Sequence, residues 1–540
     1  MNSALWAISL IFLLSVARKL YLRAQARRNL PPGPRGWPIL GNLPQVARES
    51  RVWHLFNKWK EEYGSLTYLN MLGEDFIIIN TRAAAIELCE RRSARYSDRP
   101  RYIVSEYIGS EMAMPFARYT KSWQYQRRAI HEVLHTGVSL QYTPVQLEEA
   151  IILTHKLLFD SSATLREKLN GSAATVLSVI YGKQSFPVSV ENEKKPDVTV
   201  SETPHQLRLT SDPLQNLSNI GHRLTSSVSP GGYLVDYFRV LDFLPPSLAK
   251  WKRDAQRDHQ RISELYEGYY DDAVRMDQHR VSLCAKLTDT ELASGLSVKE
   301  KAWVAGVTST AALETTSTTM SYFLYAMSCD ANIQRRAHME LDRVVGRSRI
   351  PTISDMDSLS YIRAITQEVL RWNPPLPIIA PRRASEDDWY EGHFIPKNAA
   401  LMLNIWSMNR DKDVYGPNVD EFQPERFLES FDISSNTGEF TLKAEYQNND
   451  GHNAYGFGRR KCVGRHVADN SLFIGMSLIL WALHIEPVKD YKPKGEIKRV
   501  VDTANPVPDF ACTFSPRFPG AEIILQNLYS EIIRTREKSD

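Results

Sequence analysis

Cys462 is the residue whose surroundings most plainly suggest chemistry. It sits in Tyr455-Gly456-Phe457-Gly458-Arg459-Arg460-Lys461-Cys462-Val463-Gly464. Gly456 and Gly458 permit a tight bend and let backbone approach a flat ligand closely. Gly464 removes a side chain just beyond the cysteine, and Val467, Phe473, Met476 and Leu480 then mark one apolar helical face. The spacing predicts a helix beginning near the sulfur. Its positive end, with three neighbouring cations, would lower the thiol pKa and favour thiolate, the form a metal needs. On these features alone an iron ligand, a reactive thiol and a structural cysteine all stand open.

Other spacings could carry charge and protons. Glu368 and Arg371 lie three apart, so a helix would put them on one face. The same pattern recurs at Glu340 and Arg343, Glu496 and Arg499, and Glu531 and Arg534. Only Glu368 precedes Pro374-Pro375 and lies upstream of Pro424-Glu425-Arg426-Phe427. Trp123 and Arg127 share a helix face, and Arg382-Arg383 follows Pro381. Lys301 to Ser328 reads as one long helix with small residues Ala305, Gly306, Ala311 and Ala312. Glu314-Thr315 within it pairs an acid with an alcohol, which can relay protons. A helical threonine also commonly bonds back to its preceding turn.

The cysteine loop resembles the haem-binding signature of the cytochrome P450 family, F-x-x-G-x-R-x-C-x-G, through Gly458, Arg460, Cys462 and Gly464. Tyr455 stands where phenylalanine is usual. The resemblance runs from the N-terminal apolar run to about Phe514. It implies haem b (iron protoporphyrin IX) with Cys462 as axial thiolate, and Trp123, Arg127, Arg383 and Arg460 toward the haem propionates. It further implies a structural network of Glu368, Arg371 and Arg426, with Glu314 and Thr315 as the catalytic acid and alcohol. Ala312 replaces a customary glycine, and Arg382 stands where histidine is common. The implied reaction inserts one oxygen atom of dioxygen into a lipophilic small molecule, the thiolate promoting O–O cleavage. Electrons would come from NADPH through an NADPH-cytochrome P450 reductase, which Arg459, Lys461 and Arg465 could meet. Pro381 to Lys397 is similar in style to fungal microsomal members of secondary metabolism, where terpenoids or polyketides are substrates. Ile378 and Ile379 suggest a greasy ligand. A haem-thiolate isomerase or dehydratase is the alternative within enzymes; a haem-binding sensor or carrier is the alternative outside them. Glu314-Thr315 argues against both.

These residues need a large scaffold. The 540 residues, 43% hydrophobic, suffice for one large, mainly helical domain with a small β part, over residues 51–525. Phe76 to Ile79 and Ala400 to Leu403 are the strand-like runs. A net charge of +3 excludes a nucleic-acid binder, and five scattered cysteines without a C-x-x-C pair exclude a disulfide framework. Ala4 to Ala17 is apolar and uncharged, followed by Arg18 and Lys19. With its basic flank (residues 1–28) it reads as a single-pass endoplasmic reticulum anchor, the body facing the cytosol. Residues 29–50 read as a proline-rich hinge, 188–211 as a polar loop, and 526–540 as a charged tail. A monomer is expected.

Overall fold

The computed structural model describes residues 18, 21, 25, 27–160, 165, 168–169, 174–182, 207–210, 212–229, 231–276, 281–289, 295–429, 438–448, 450–488 and 510–537. The apolar run 4–17 and residues 188–206 of the polar loop lie outside them. No helix among the described residues is long and apolar enough to cross a membrane.

In chain order the principal helices are α1 (Val52–Tyr63), α2 (Ile103–Gly109), α3 (Lys121–Leu134), α4 (Thr143–Phe159), α5 (Pro213–Ser226) and α6 (Lys250–Met276). There follow α7 (Val298–Cys329), α8 (Ala331–Val344), α9 (Ser360–Trp372), α10 (Arg465–Ala482) and α11 (Ala521–Glu537). The strands are β1 (Leu66–Met71), β2 (Glu74–Ile79), β3 (Ile378–Arg383), β4 (Asp388–Tyr390), β5 (His393–Ile395), β6 (Ala400–Asn404), β7 (Leu483–Pro487) and β8 (Cys512–Pro516). The protein is mainly helical, as expected. The chain groups into two compact units, the smaller drawn from Met1–Pro100, Ile378–Met408 and Phe457–Arg459.

The smaller unit is built on a sheet of order β1-β2-β6-β3. The two strand-like runs pair directly and in parallel, Phe76 with Ala400 through Ile79 with Leu403. Both faces are covered, which is why neither strand alternates with polar residues. Phe76, Ile78, Ala400 and Met402 pack with Trp53, Phe56 and Trp59 of α1. Ile77, Ile79, Leu401 and Leu403 point to the opposite core, with Leu88, Cys89, Tyr96 and Phe457. Within the proline-rich residues 29–50, Pro32 and Asn42 are hydrogen-bonded to β1. Tyr68 N–H donates to the Pro32 carbonyl (2.9 Å) and Asn42 N–H to that of Asn70 (2.6 Å), so the segment satisfies the edge of β1.

The larger unit holds α2 to α11. Its α7 starts at a capping box of Ser297 and Glu300 and runs for 32 residues, buried nearly all round, as a central helix must be. Ile362, Ile365 and Val369 of α9 are completely buried. Residues Ala521–Glu537 form α11, which takes in 526–537 of the segment 526–540 read from its charge as a tail. Its Ile524, Leu525, Leu528 and Ile532 recur at three and four and join the main core. Arg536 is buried and bonded to Glu149 (3.0 Å) and Glu148 (3.2 Å).

Candidate functional site

Cys462 lies between a 3-10 turn at Gly458–Arg460 and the start of α10 at Arg465. Gly458 has φ +55°, and any Cβ there would collide with the Cys89 carbonyl, so only glycine allows this bend. The loop closes where Cys462 N–H donates to the Tyr455 carbonyl (2.8 Å). Tyr455 itself donates its hydroxyl to Asp469 of α10 (2.5 Å). Cys462 is exposed by area, yet burial among protein atoms pushes its thiol pKa up. A residue both accessible and enclosed lines an interior space.

The expected lowering of that thiol does not occur. The Gly464 amide and the charges of Arg127 and Arg465 do pull it down, but loss of hydration outweighs them. A bound cation is what would restore the balance toward thiolate.

The structure brings Trp123, Arg127, Arg460 and Cys462 together. Arg127 donates to the carbonyl of Lys461, the residue before the cysteine, and burial lowers its pKa, an effect that the nearby sulfur only partly offsets. The Arg460 guanidinium lies over the Trp123 ring at 4.0 Å, a cation–π distance. It also donates to the carbonyls of Ala117 (2.8 Å) and Met114 (3.2 Å), and Trp123 Nε1 shares the Met114 oxygen (3.0 Å).

Along α7, Thr308, Ala311, Ala312 and Thr315 recur at three and four and form the open stripe of a buried helix. Ala311 is exposed, while Val304, Val307 and Leu313 beside it are buried. Ala312 joins the same apolar cluster as Trp123 and as Val463 and Val467 after the cysteine. A stripe of small side chains is the surface a flat ring needs. Thr315 Oγ1 donates back to the Ala311 carbonyl (2.9 Å). Glu314 is engaged by Ser218 and His222 of α5.

Glu368, Arg371 and Arg426 meet in one cluster in which Glu368 and Arg371 are completely buried and Arg426 nearly so. Arg371 bonds both carboxylate oxygens (2.6 and 2.8 Å), and Arg426 Nε lies 3.1 Å from each. The remaining Arg371 donors reach the carbonyls of Asn409, Val419 and Glu421, so the excess positive charge is dispersed on oxygens. Glu340, a rival by spacing, instead accepts the Tyr361 and Ile362 amides at the start of α9.

Arg383, in the smaller unit, is committed to Asp98 through Nε (3.1 Å), its other donor and its own amide. Its neighbour Arg382 is completely buried. One Arg382 donor reaches the Phe457 carbonyl (2.6 Å), while Nε and the second terminal nitrogen have no partner among the described residues. Two orphaned guanidinium donors fit a carboxylate. The resemblance points to Arg383 for a propionate, and the strand carries a register shift between Ile379 and Arg382. Within the larger unit, the thiol, the stripe of small residues and the Arg127 and Arg460 guanidinium groups fit an iron porphyrin with carboxylate arms.

A protein-family model described as Cytochrome P450 matches residues 31–509. Cytochrome P450 monooxygenase 58 of Postia placenta is 37% identical over 490 residues, covering 89% of this chain and 86% of that protein. A cytochrome P450 monooxygenase of Armillaria gallica is 36% identical, covering 97% and 96%. The monooxygenase iboC of Amanita muscaria is 35% identical, covering 93% and 94%.

Proposed function

The chain belongs to the cytochrome P450 family, whose relatives named above are monooxygenases, and we propose that it oxygenates a lipophilic small molecule of fungal secondary metabolism, a terpenoid or polyketide. The balanced reaction is RH + O2 + NADPH + H+ → ROH + H2O + NADP+. The observation that carries the reading is Cys462, enclosed yet accessible, at the end of a loop shaped by glycines.

Haem b, when bound, supplies the oxygen chemistry, and the thiolate promotes O–O cleavage. Cys462 would hold its iron through sulfur, Arg127 and Arg460 would hold its carboxylates, and Trp123 supports the Arg460 plane. In the smaller unit, Arg382 has two guanidinium donors without a partner among the described residues. Thr315 offers a hydroxyl already oriented by the Ala311 carbonyl, and Glu314 beside it is the acid. Glu368, Arg371 and Arg426 hold the fold around the loop.

Electrons come from an NADPH-cytochrome P450 reductase, with Lys461 and Arg465 flanking the cysteine as a basic surface for an acidic flavoprotein. Ile378 and Ile379 do not support a greasy ligand, since both pack into the smaller unit's cores. A place at the endoplasmic reticulum membrane is supported by exposed Leu234, Phe238, Val240, Phe243 and Leu248, with Arg239 and Lys250 among them. The test is turnover with reductase, NADPH and isotopically labelled dioxygen, followed by metabolite profiling. One labelled oxygen in product and one in water is expected; NADPH-independent product formation would overturn the reading.

A further inference from the structure

Glu314 does not face its helix neighbours alone. Its Oε1 accepts from Ser218 Oγ at 2.7 Å and pairs with His222 Nε2 at 3.1 Å. Ser218 and His222 are four apart on α5, so they share one face of that helix. Leu217, Ile220 and Leu224 bury the apolar side of α5. The two helices approach closely at Gly221, where an added Cβ would lie 3.0 Å from Thr310 Cγ2 of α7. That approach sets His222, the next residue, against Glu314. The His222 side chain is 52% exposed and that of Glu314 36% exposed.

Other ionisable groups on the elements packed around α5 are engaged elsewhere. Arg223 bonds Asp258 of α6 (2.7 Å) and Tyr233, while Glu106 of α2 pairs with Arg101. Asp212 caps α5 at its far end. Glu314 and His222 thus form an ion pair between α7 and α5. Histidine is the side chain that holds and releases a proton near neutral pH.

We propose that His222 delivers the protons that recharge Glu314 during turnover, with Ser218 holding the accepting oxygen in place. This rests on Glu314 being the reaction's acid. The Nε2–H bond of His222 breaks with its electron pair left on nitrogen, and the proton passes to Glu314 Oε1. The imidazole regains a proton from water, and Glu314 gives its own to the oxygen atom that leaves as water. NADPH supplies both electrons, as in the equation above.

The test needs no organic substrate. The holoenzyme with reductase and NADPH partitions oxygen between O2 + NADPH + H+ → H2O2 + NADP+ and O2 + 2 NADPH + 2 H+ → 2 H2O + 2 NADP+. Only the second needs protons delivered for O–O cleavage. His222→Gln keeps a hydrogen-bond donor but cannot relay, and should cut the share of oxygen reduced to water by about tenfold, a modest general-acid contribution. In the wild type that share should fall as pH rises through the histidine range; in His222→Gln it should be low and flat. Ser218→Ala should give a smaller loss. Wild-type partition and pH limb in His222→Gln would overturn the proposal, as would a wild type that yields only peroxide. Glu314→Gln separates the two readings. If it forms peroxide while His222→Gln does not, the relay alone fails; if neither does, Glu314 is not the acid.

Discussion

Replacing Glu368 by alanine should be among the most damaging single changes outside the cysteine loop. Glu368 and Arg371 have no exposed side-chain surface, and that of Arg426 is 7% exposed, so solvent cannot screen what is lost. The carboxylate accepts from Arg371 Nε and its terminal nitrogen, from Arg426 Nε and from the Gln423 amide (2.7 Å). Its removal orphans these donors and leaves two buried cations facing each other. Breaking a buried pair from one side costs about 3–5 kcal/mol. Orphaned donors at roughly 1–3 kcal/mol each would give a larger sum, but they share one charge and do not add. Against a total stability of about 5–15 kcal/mol, this removes a large fraction. With a urea dependence of about 3 kcal/mol per M, the unfolding midpoint should drop by roughly 1 M or more. The control is Glu531→Ala, equally three residues from an arginine but on the exposed face of α11, expected to stay within about 0.5 kcal/mol. A Glu368→Ala midpoint as close to wild type as the control's would refute the reasoning.

Gly458→Ala should yield folded protein with little bound haem, because the left-handed backbone costs about 1–2 kcal/mol and the Cβ must displace the Cys89 carbonyl; the haem-to-protein ratio after purification measures it. Arg382→Met should speed haem loss in an apomyoglobin transfer assay, whereas Arg383→Met should change it less than twofold, since Arg383 is already held by Asp98. Glu340 is completely buried, and that burial raises its pKa to about 8 despite the amides it accepts. A raised carboxyl pKa stabilises the fold while the group is protonated, so its contribution is complete below about pH 4.5 and is lost as pH rises through about 8. Denaturation midpoints from pH 5 to 8.5 should therefore show wild type losing ground to Glu340→Gln as pH rises.

Much of the architecture was legible because burial on both faces leaves an unmistakable mark. Phe76 to Ile79 and Ala400 to Leu403 read as strands, and they prove to be each other's partners. The long helix around Glu314 and the helix after Cys462 appeared within a few residues of their expected limits. Long-range burial was not legible. The cations near Cys462 are visible in sequence, but the atoms that desolvate the sulfur come from distant segments. Arg382 and Arg383 look equivalent in sequence, yet one is completely buried and Asp98 engages the other. The charges of α11 concealed its apolar spacing, which matters only because a core lies beneath it. Nothing local to Glu314 announces His222, which lies 92 positions earlier and reaches it only through helix packing.

The most direct measurement is the absorption spectrum of purified, reduced protein exposed to carbon monoxide. Sulfur ligation by Cys462 predicts the strongly red-shifted Soret band of a thiolate-bound haem, and its disappearance in Cys462→Ala. Wild-type protein without that band, or a variant that keeps it, would contradict the account.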